Sequence, residues 1–308
     1  MTLVPSGMLS RALVACLLAL SAATINPAWA ETTSKRYTAT SADSVTLSIQ
    51  EAGNPNGAPV IFVHGLLGSH LSWQAQVDSP ALQRYRLITY DLRGHGQSGS
   101  PSAPQMYTDG LRWADDLEAV IRRSKSVRPV LVGWSLGAAV ISNYLAKYGD
   151  ADVAGVVYVG GVVELDAAHI QPHPEVYRDM SSLDLRTRLD AERAFLALCF
   201  HRPPPGEAVQ RLLANAALAS FDMQRAVLRM TVDAAKGLQA VRKPMLQIYG
   251  EQDALVRADA SAKRAQQLNP SIRTIFYPDT GHAPFLESPQ LFNDDLAGFI
   301  AKAHPGDN

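Results

Sequence analysis

The sequence predicts an open, doubly wound α/β sheet, mostly parallel and of about eight strands, with a helical insertion folded over one end. Three observations carry this. Short runs of Val, Ile, Leu and Tyr recur without polar alternation, as in parallel strands covered on both faces. Longer stretches of helical period separate those runs. From residue 164 to 241 the rhythm breaks: nothing reads as a strand, and apolar residues recur at helical spacing.

In chain order, residues 37–40 and 45–50 read as two early strands around a polar turn. Pro59–Val63 is a strand ending in His64-Gly65, 85–90 a strand ending in Asp91, and 129–132 a strand running into a glycine-bracketed turn. Residues 153–159, 244–249 and 272–277 complete the strands, and helical patterns occupy 111–123, 138–148, 258–268 and 289–303. Within the insertion, the Pro-rich joint His201-Arg202-Pro203-Pro204-Pro205-Gly206 separates two helical portions. The expected organisation is a leader at 1–30, a core made of 31–163 and 242–308, and a cap at 164–241.

The leader carries one charge, Arg11, then an apolar stretch at 12–23 and the triplet Ala28-Trp29-Ala30. These are the marks of a secretory signal peptide, so export to a periplasm or the medium is expected, with cleavage near Ala30. A membrane-spanning helix needs about 20 apolar residues, which no stretch reaches. Leu13-Val14-Ala15-Cys16 resembles a lipoprotein processing box, but such a box ends the apolar region, and this one begins it. Beyond the leader only Cys199 remains, so neither an intramolecular disulfide nor a cysteine metal site is expected. With 47% hydrophobic and 19% charged residues the chain is globular, and a net charge of −1 without any Lys/Arg run speaks against nucleic-acid binding.

Gly133-Trp134-Ser135-Leu136-Gly137 follows a strand and precedes a helix. G-x-S-x-G in that setting is a nucleophile elbow, which lifts the Ser hydroxyl to the sheet edge at a helix N-terminus. The hydroxyl needs a base near in space. Of eight His, His282 has the best setting, in the loop Thr280-Gly281-His282-Ala283-Pro284 after the last strand. His70 reads as a surface residue in a turn, and no pair of His is suited to holding a metal. Asp253, in Gly250-Glu251-Gln252-Asp253 at the same edge, is the expected orienting carboxylate, with Asp166 its rival and Glu251 facing solvent. The backbone amides of Leu66 and Leu136 are the candidate oxyanion pair, and His64 reads as a structural residue of that loop.

Together with Asp91-Leu92-Arg93-Gly94-His95-Gly96-Gln97-Ser98, these stretches resemble the α/β-hydrolase superfamily over essentially the whole chain after the leader. The resemblance is to its compact, capped branch of bacterial esterases, lactonases and cofactor-free haloperoxidase-like enzymes. It implies the α/β-hydrolase fold with a helical cap, no cofactor, and Arg93 and His95 as structural residues. It also implies hydrolysis of a small-molecule ester or lactone through an acyl-enzyme on Ser135. The alternatives are a perhydrolase or haloperoxidase-like activity on the same residues, or a non-catalytic binder on this fold. Trp73, Trp134, Phe195, Phe221 and Phe285 are the tentative substrate-binding residues, with Leu196, Phe200, Met223 and Met230 as further lining.

Overall fold

The computed structural model describes residues 35–306, and the expected leader, with its expected cleavage near Ala30 and Cys16, lies outside the described residues. The chain opens with a hairpin, β1 (Lys35–Thr40) and β2 (Thr46–Gly53), in which Leu47 and Ile49 point inward. β3 (Pro59–Val63), α1 (Gln74–Val77) and β4 (Arg86–Tyr90) follow, then α2 (Gln105–Thr108), α3 (Gly110–Ser124), β5 (Val130–Trp134), α4 (Leu136–Tyr148) and β6 (Gly155–Val159). The insertion holds α5 (Pro174–Met180), α6 (Leu185–Leu198), α7 (Gly206–Ala217), α8 (Phe221–Ala226) and α9 (Ala234–Gln239). β7 (Met245–Gly250), α10 (Ala258–Leu268), β8 (Arg273–Tyr277), α11 (Pro284–Glu287) and α12 (Pro289–Ala303) complete the chain.

The eight strands form one sheet in the order β1-β2-β4-β3-β5-β6-β7-β8. β1 and β2 pair antiparallel and β2 meets β4 antiparallel; every later pairing is parallel. β5, β6 and β7 are buried at every position, as continuous apolar runs demand when helices cover both faces. The parallel strands share one carboxyl edge, where the loops carrying His64, Asp91, Ser135, Asp253 and His282 emerge, the usual position of a ligand crevice in such sheets.

Caps explain where the helices start. Asp109 accepts the Leu111 amide before α3, Asp184 the Thr187 amide before α6, and Asp233 the Lys236 amide before α9. α4 is buried almost all round, because α3 packs on one side and α9 on the other. Gly237 of α9 lies so close that a Cβ there would stand 2.4 Å from the Ser142 carbonyl. The last helix of the insertion is thus docked on the core, and the covering part comprises the segments before it.

Candidate active site

Ser135 stands between β5 and α4 with φ 53° and ψ −115°, a backbone conformation that costs an L residue about 1–3 kcal/mol. Its surroundings enforce the turn. The Ser135 amide donates to Val159 O at 3.0 Å, and its carbonyl accepts from Ala138 and Val162. A Cβ on Gly137 would stand 2.3 Å from Val63 O, so only glycine lets the elbow pack against β3. Leu136 is the first residue of α4, where amides have no intrahelical acceptor and favour negative charge. Leu66 and Leu136 line the same cavity as Ser135.

His282 Nδ1 donates to Asp253 Oδ2 at 2.8 Å, and both side chains are 1% exposed. Asp253 Oδ1 accepts the Leu255 and Val256 amides, each at 2.8 Å, which holds the carboxylate in one rotamer. With Nδ1 donating, Nε2 carries the lone pair of the neutral ring, and it is buried without a partner among the described residues. Ser135 Oγ and His282 Nε2 are therefore not hydrogen-bonded here; such contacts often tighten only when substrate binds. Asp166 is turned elsewhere: it caps Ala168 and His169 and accepts from His169 Nδ1 at 2.8 Å.

The loop after β3 is held by the loop after β4. His64 Nδ1 donates to Gly65 O at 2.7 Å, while its Nε2 accepts the Leu92 amide at 3.0 Å. His95 Nε2 accepts the Leu67 amide at 3.3 Å, and its Nδ1 donates to Arg93 O. These bonds bracket Leu66, whose neighbour Leu67 sits at φ 61°. Burial lowers His64 to about 4, and burial with the neighbouring His64 lowers His95 to about 3, so both act as neutral rings. His70 is a correction to the sequence reading: it is nearly buried, and its amide and Nδ1 both bond Asp91 Oδ1, at 2.7 and 2.8 Å. Burial alone would raise the Asp91 carboxyl; the bonds from His70 and the Gln97 amide hold it low instead. Arg93, fully buried, donates to Asp116 at 2.6 and 2.7 Å and reaches Asp43, tying this loop to α3.

Ser135 opens into a cavity of about 450 Å³, lined mainly by apolar side chains. Phe195 lines it, together with Ile170, Tyr177, Val227 and Leu228 of the insertion and Leu255 and Val256 of the core. The other four proposed aromatics do not. Trp73 and Phe285 are wholly buried with ring centres 4.5 Å apart, because they pack into an aromatic core cluster with Phe62 of β3 and Phe292 of α12. Trp134 is buried too, donating its indole N–H to His282 O at 2.9 Å. Phe221 packs under the Arg188 guanidinium, 4.2 Å from its ring centre. Leu196 and Phe200 line a separate cavity of about 200 Å³, and Met223 and Met230 are buried.

Among the described residues, Glu164, Asp166 and His169 bring ligand-type atoms within 4.8 Å of one another. Arg264 donates to Glu164 at 2.9 Å, so the group already contains its counter-charge. His173, four residues from His169, bonds the Ala254 carbonyl rather than joining it.

The family model described as "Alpha/beta hydrolase family" matches residues 60–295. The chain belongs to the α/β-hydrolase family. A Burkholderia cenocepacia protein assigned as an aryl esterase is 61% identical, superposes with a TM-score of 0.87, and is covered over 99% of its length by 87% of this chain. The esterase RhEst1 from Rhodococcus sp. ECU1013 is 29% identical, with a TM-score of 0.77 and coverage of 87% and 99%. The bifunctional esterase/perhydrolase DCH of Acinetobacter calcoaceticus is 27% identical over 279 residues, spanning 85% of this chain and 98% of its own. In this α/β-hydrolase, β5, β7 and β8 each deliver one chemistry-bearing side chain to the carboxyl edge of the sheet.

Proposed function

We propose that this α/β-hydrolase cleaves a carboxylic ester of medium size through an acyl-enzyme on Ser135. The observation that carries this reading is Ser135, held at a positive φ on an apolar cavity beside a buried His282–Asp253 pair. In the forward step the Ser135 hydroxyl attacks the ester carbonyl and its proton passes to His282 Nε2. Asp253 holds the ring in the tautomer that leaves Nε2 free and stabilises the imidazolium. The Leu66 and Leu136 amides receive the developing oxyanion, with no reorganisation needed in a fixed loop. His282 then protonates the leaving alcohol; in the second half it takes a proton from water as the water oxygen attacks the acyl carbon, and returns it to Ser135 Oγ as the acyl–Oγ bond breaks and the acid leaves. The cycle balances without a cofactor.

The cavity's size and apolar lining suit an uncharged substrate, or one charged only at its exposed end. The 61% identical neighbour makes aryl esters the first compounds to assay, with lactones alongside. A second reading, transfer of the acyl group to peroxide instead of water, is favoured by the relative that does both. Peracid formation from acetate and peroxide measures it directly. Labelling with a fluorophosphonate tests the whole scheme. Wild-type protein should label and Ser135→Ala should not; an unlabelled wild type rejects the serine-hydrolase reading, and labelling of the variant rejects Ser135 as nucleophile.

A further inference from the structure

The Pro-rich joint of the cap lies against the loop that carries His282, and one side chain bridges them. Glu287, at the end of α11, accepts the Gly281 amide on Oε1 at 2.7 Å. Its other oxygen, Oε2, accepts the His201 and Arg202 amides, both at 3.0 Å. Three backbone donors from segments about 80 residues apart thus converge on one carboxylate, and hydrogen bonds to an ionised acceptor are the stronger kind.

The contact around it is tight. A Cβ on Gly281 would stand 2.5 Å from His201 N and 2.9 Å from the Phe200 carbonyl carbon, so the two segments meet as bare backbone. A second tie runs parallel: the Ala283 amide donates to Cys199 O at 3.0 Å. His282 therefore sits between two residues, Gly281 and Ala283, whose amides are both bonded in a bridge to the cap. On the cap side the bridge continues into α6, which carries Phe195 to the cavity wall.

We propose that Glu287 is a positioning residue: it locks the cap to the His282 loop, so that the imidazole and the roof over Ser135 are set as one unit. This rests on the serine-hydrolase reading for its kinetic consequence, though the bridge itself can be measured without any turnover. Glu287 touches neither Ser135 nor the His282 ring. It acts through the backbone on either side of the base, where a displacement of about 1 Å can cost on the order of 100-fold in rate.

The test compares wild type with Glu287→Gln, which keeps the size but leaves one oxygen able to accept, and with Glu287→Ala. Asp279→Asn is the control, since it removes the exposed pair between Asp279 and Arg202 at the same joint. Amide hydrogen exchange should show 199–206 and 279–283 losing protection together in both Glu287 variants. On a soluble aryl ester, kcat should fall about 10- to 100-fold while KM changes less than about 3-fold, with the control unchanged in both measurements. Unchanged protection, loosening of one segment alone, or an unaltered kcat in Glu287→Gln would each overturn the proposal. If Glu287→Ala does not fold, Glu287→Gln decides. If wild type fails to label with fluorophosphonate, the hydrolase reading fails, while the exchange data still judge the bridge.

Discussion

A carboxylate that accepts one bond from an imidazole and two from backbone amides is fixed in rotation, and Asp253 is such a group. Asp253→Asn keeps the shape but offers His282 an amide that favours the wrong tautomer. On that ground kcat should drop about 10³- to 10⁴-fold with little change in KM, read from steady-state kinetics on an aryl ester. His95 acts further out. Removing one oxyanion donor typically costs about 10²- to 10³-fold, and loosening its loop should cost less. His95→Ala is accordingly expected to lower kcat about 10- to 100-fold and to weaken a trifluoromethyl ketone inhibitor in parallel. Equal weakening of a substrate-like ether that forms no oxyanion would assign His95 to general structure instead. At this scale the sequence was informative where a residue's neighbours constrain it, as with Ser135 between its glycines. It misled for Trp73, Trp134 and Phe285, since a place on a loop at the sheet edge, or beside Ser135 in the chain, does not say whether a ring faces the cavity or the core.

Among the elements, the strands were legible because each is a short apolar run bounded by Gly, Pro or Asp. All eight observed strands fall on expected segments; Pro59–Val63 coincides at both ends, and no end of the others is shifted by more than three residues. α10 and α12 begin and end where their periodicity does. The four-residue helices α1, α2 and α11 were not legible, being too short to show a period. The insertion read as helical, yet which of its faces turns to Ser135 depends on where α5 and α6 dock. Phe195 is the residue through which that docking can be assayed. Phe195→Leu enlarges the cavity, so the ratio of kcat/KM for a bulky over a small acyl ester of one phenol should rise up to about 10-fold. Phe221→Leu, outside the cavity, should leave that ratio unchanged.

For the whole molecule, burial of two neutral imidazoles ties stability to pH. In the unfolded chain His64 and His95 take up protons near 6.5, whereas the folded protein resists until about 4 and about 3. Between those limits the unfolded state binds more protons, so stability falls as pH drops below about 6.5 and levels off near 3 to 4. Between pH 7 and pH 5 the combined effect is on the order of a few kcal/mol. Asp43, Glu51 and Asp91, held low by their partners, add losses that begin only at the acid end of that window, as pH falls below their unfolded values of 3.8 and 4.5. Urea midpoints at pH 7 and pH 5 check this: the second should be clearly lower, and equal midpoints would rule it out. The leader supports a proposal of export, for which N-terminal sequencing of secreted or periplasmic protein should begin at Glu31.

By itself the sequence determined the succession of strands and of the four long core helices, the glycine-bracketed Ser135 and the short list of partners at the carboxyl edge. These are local properties, written in periodicity and turn chemistry. The tertiary structure decided that His282 Nδ1 meets Asp253 rather than Asp166, that His95 reaches back to the Leu67 amide, and that Glu287 joins the cap to the histidine loop. The links that decide them join residues 28, 29 and 86 positions apart. No local pattern encodes them, because the distance between such residues is set by how the layers pack.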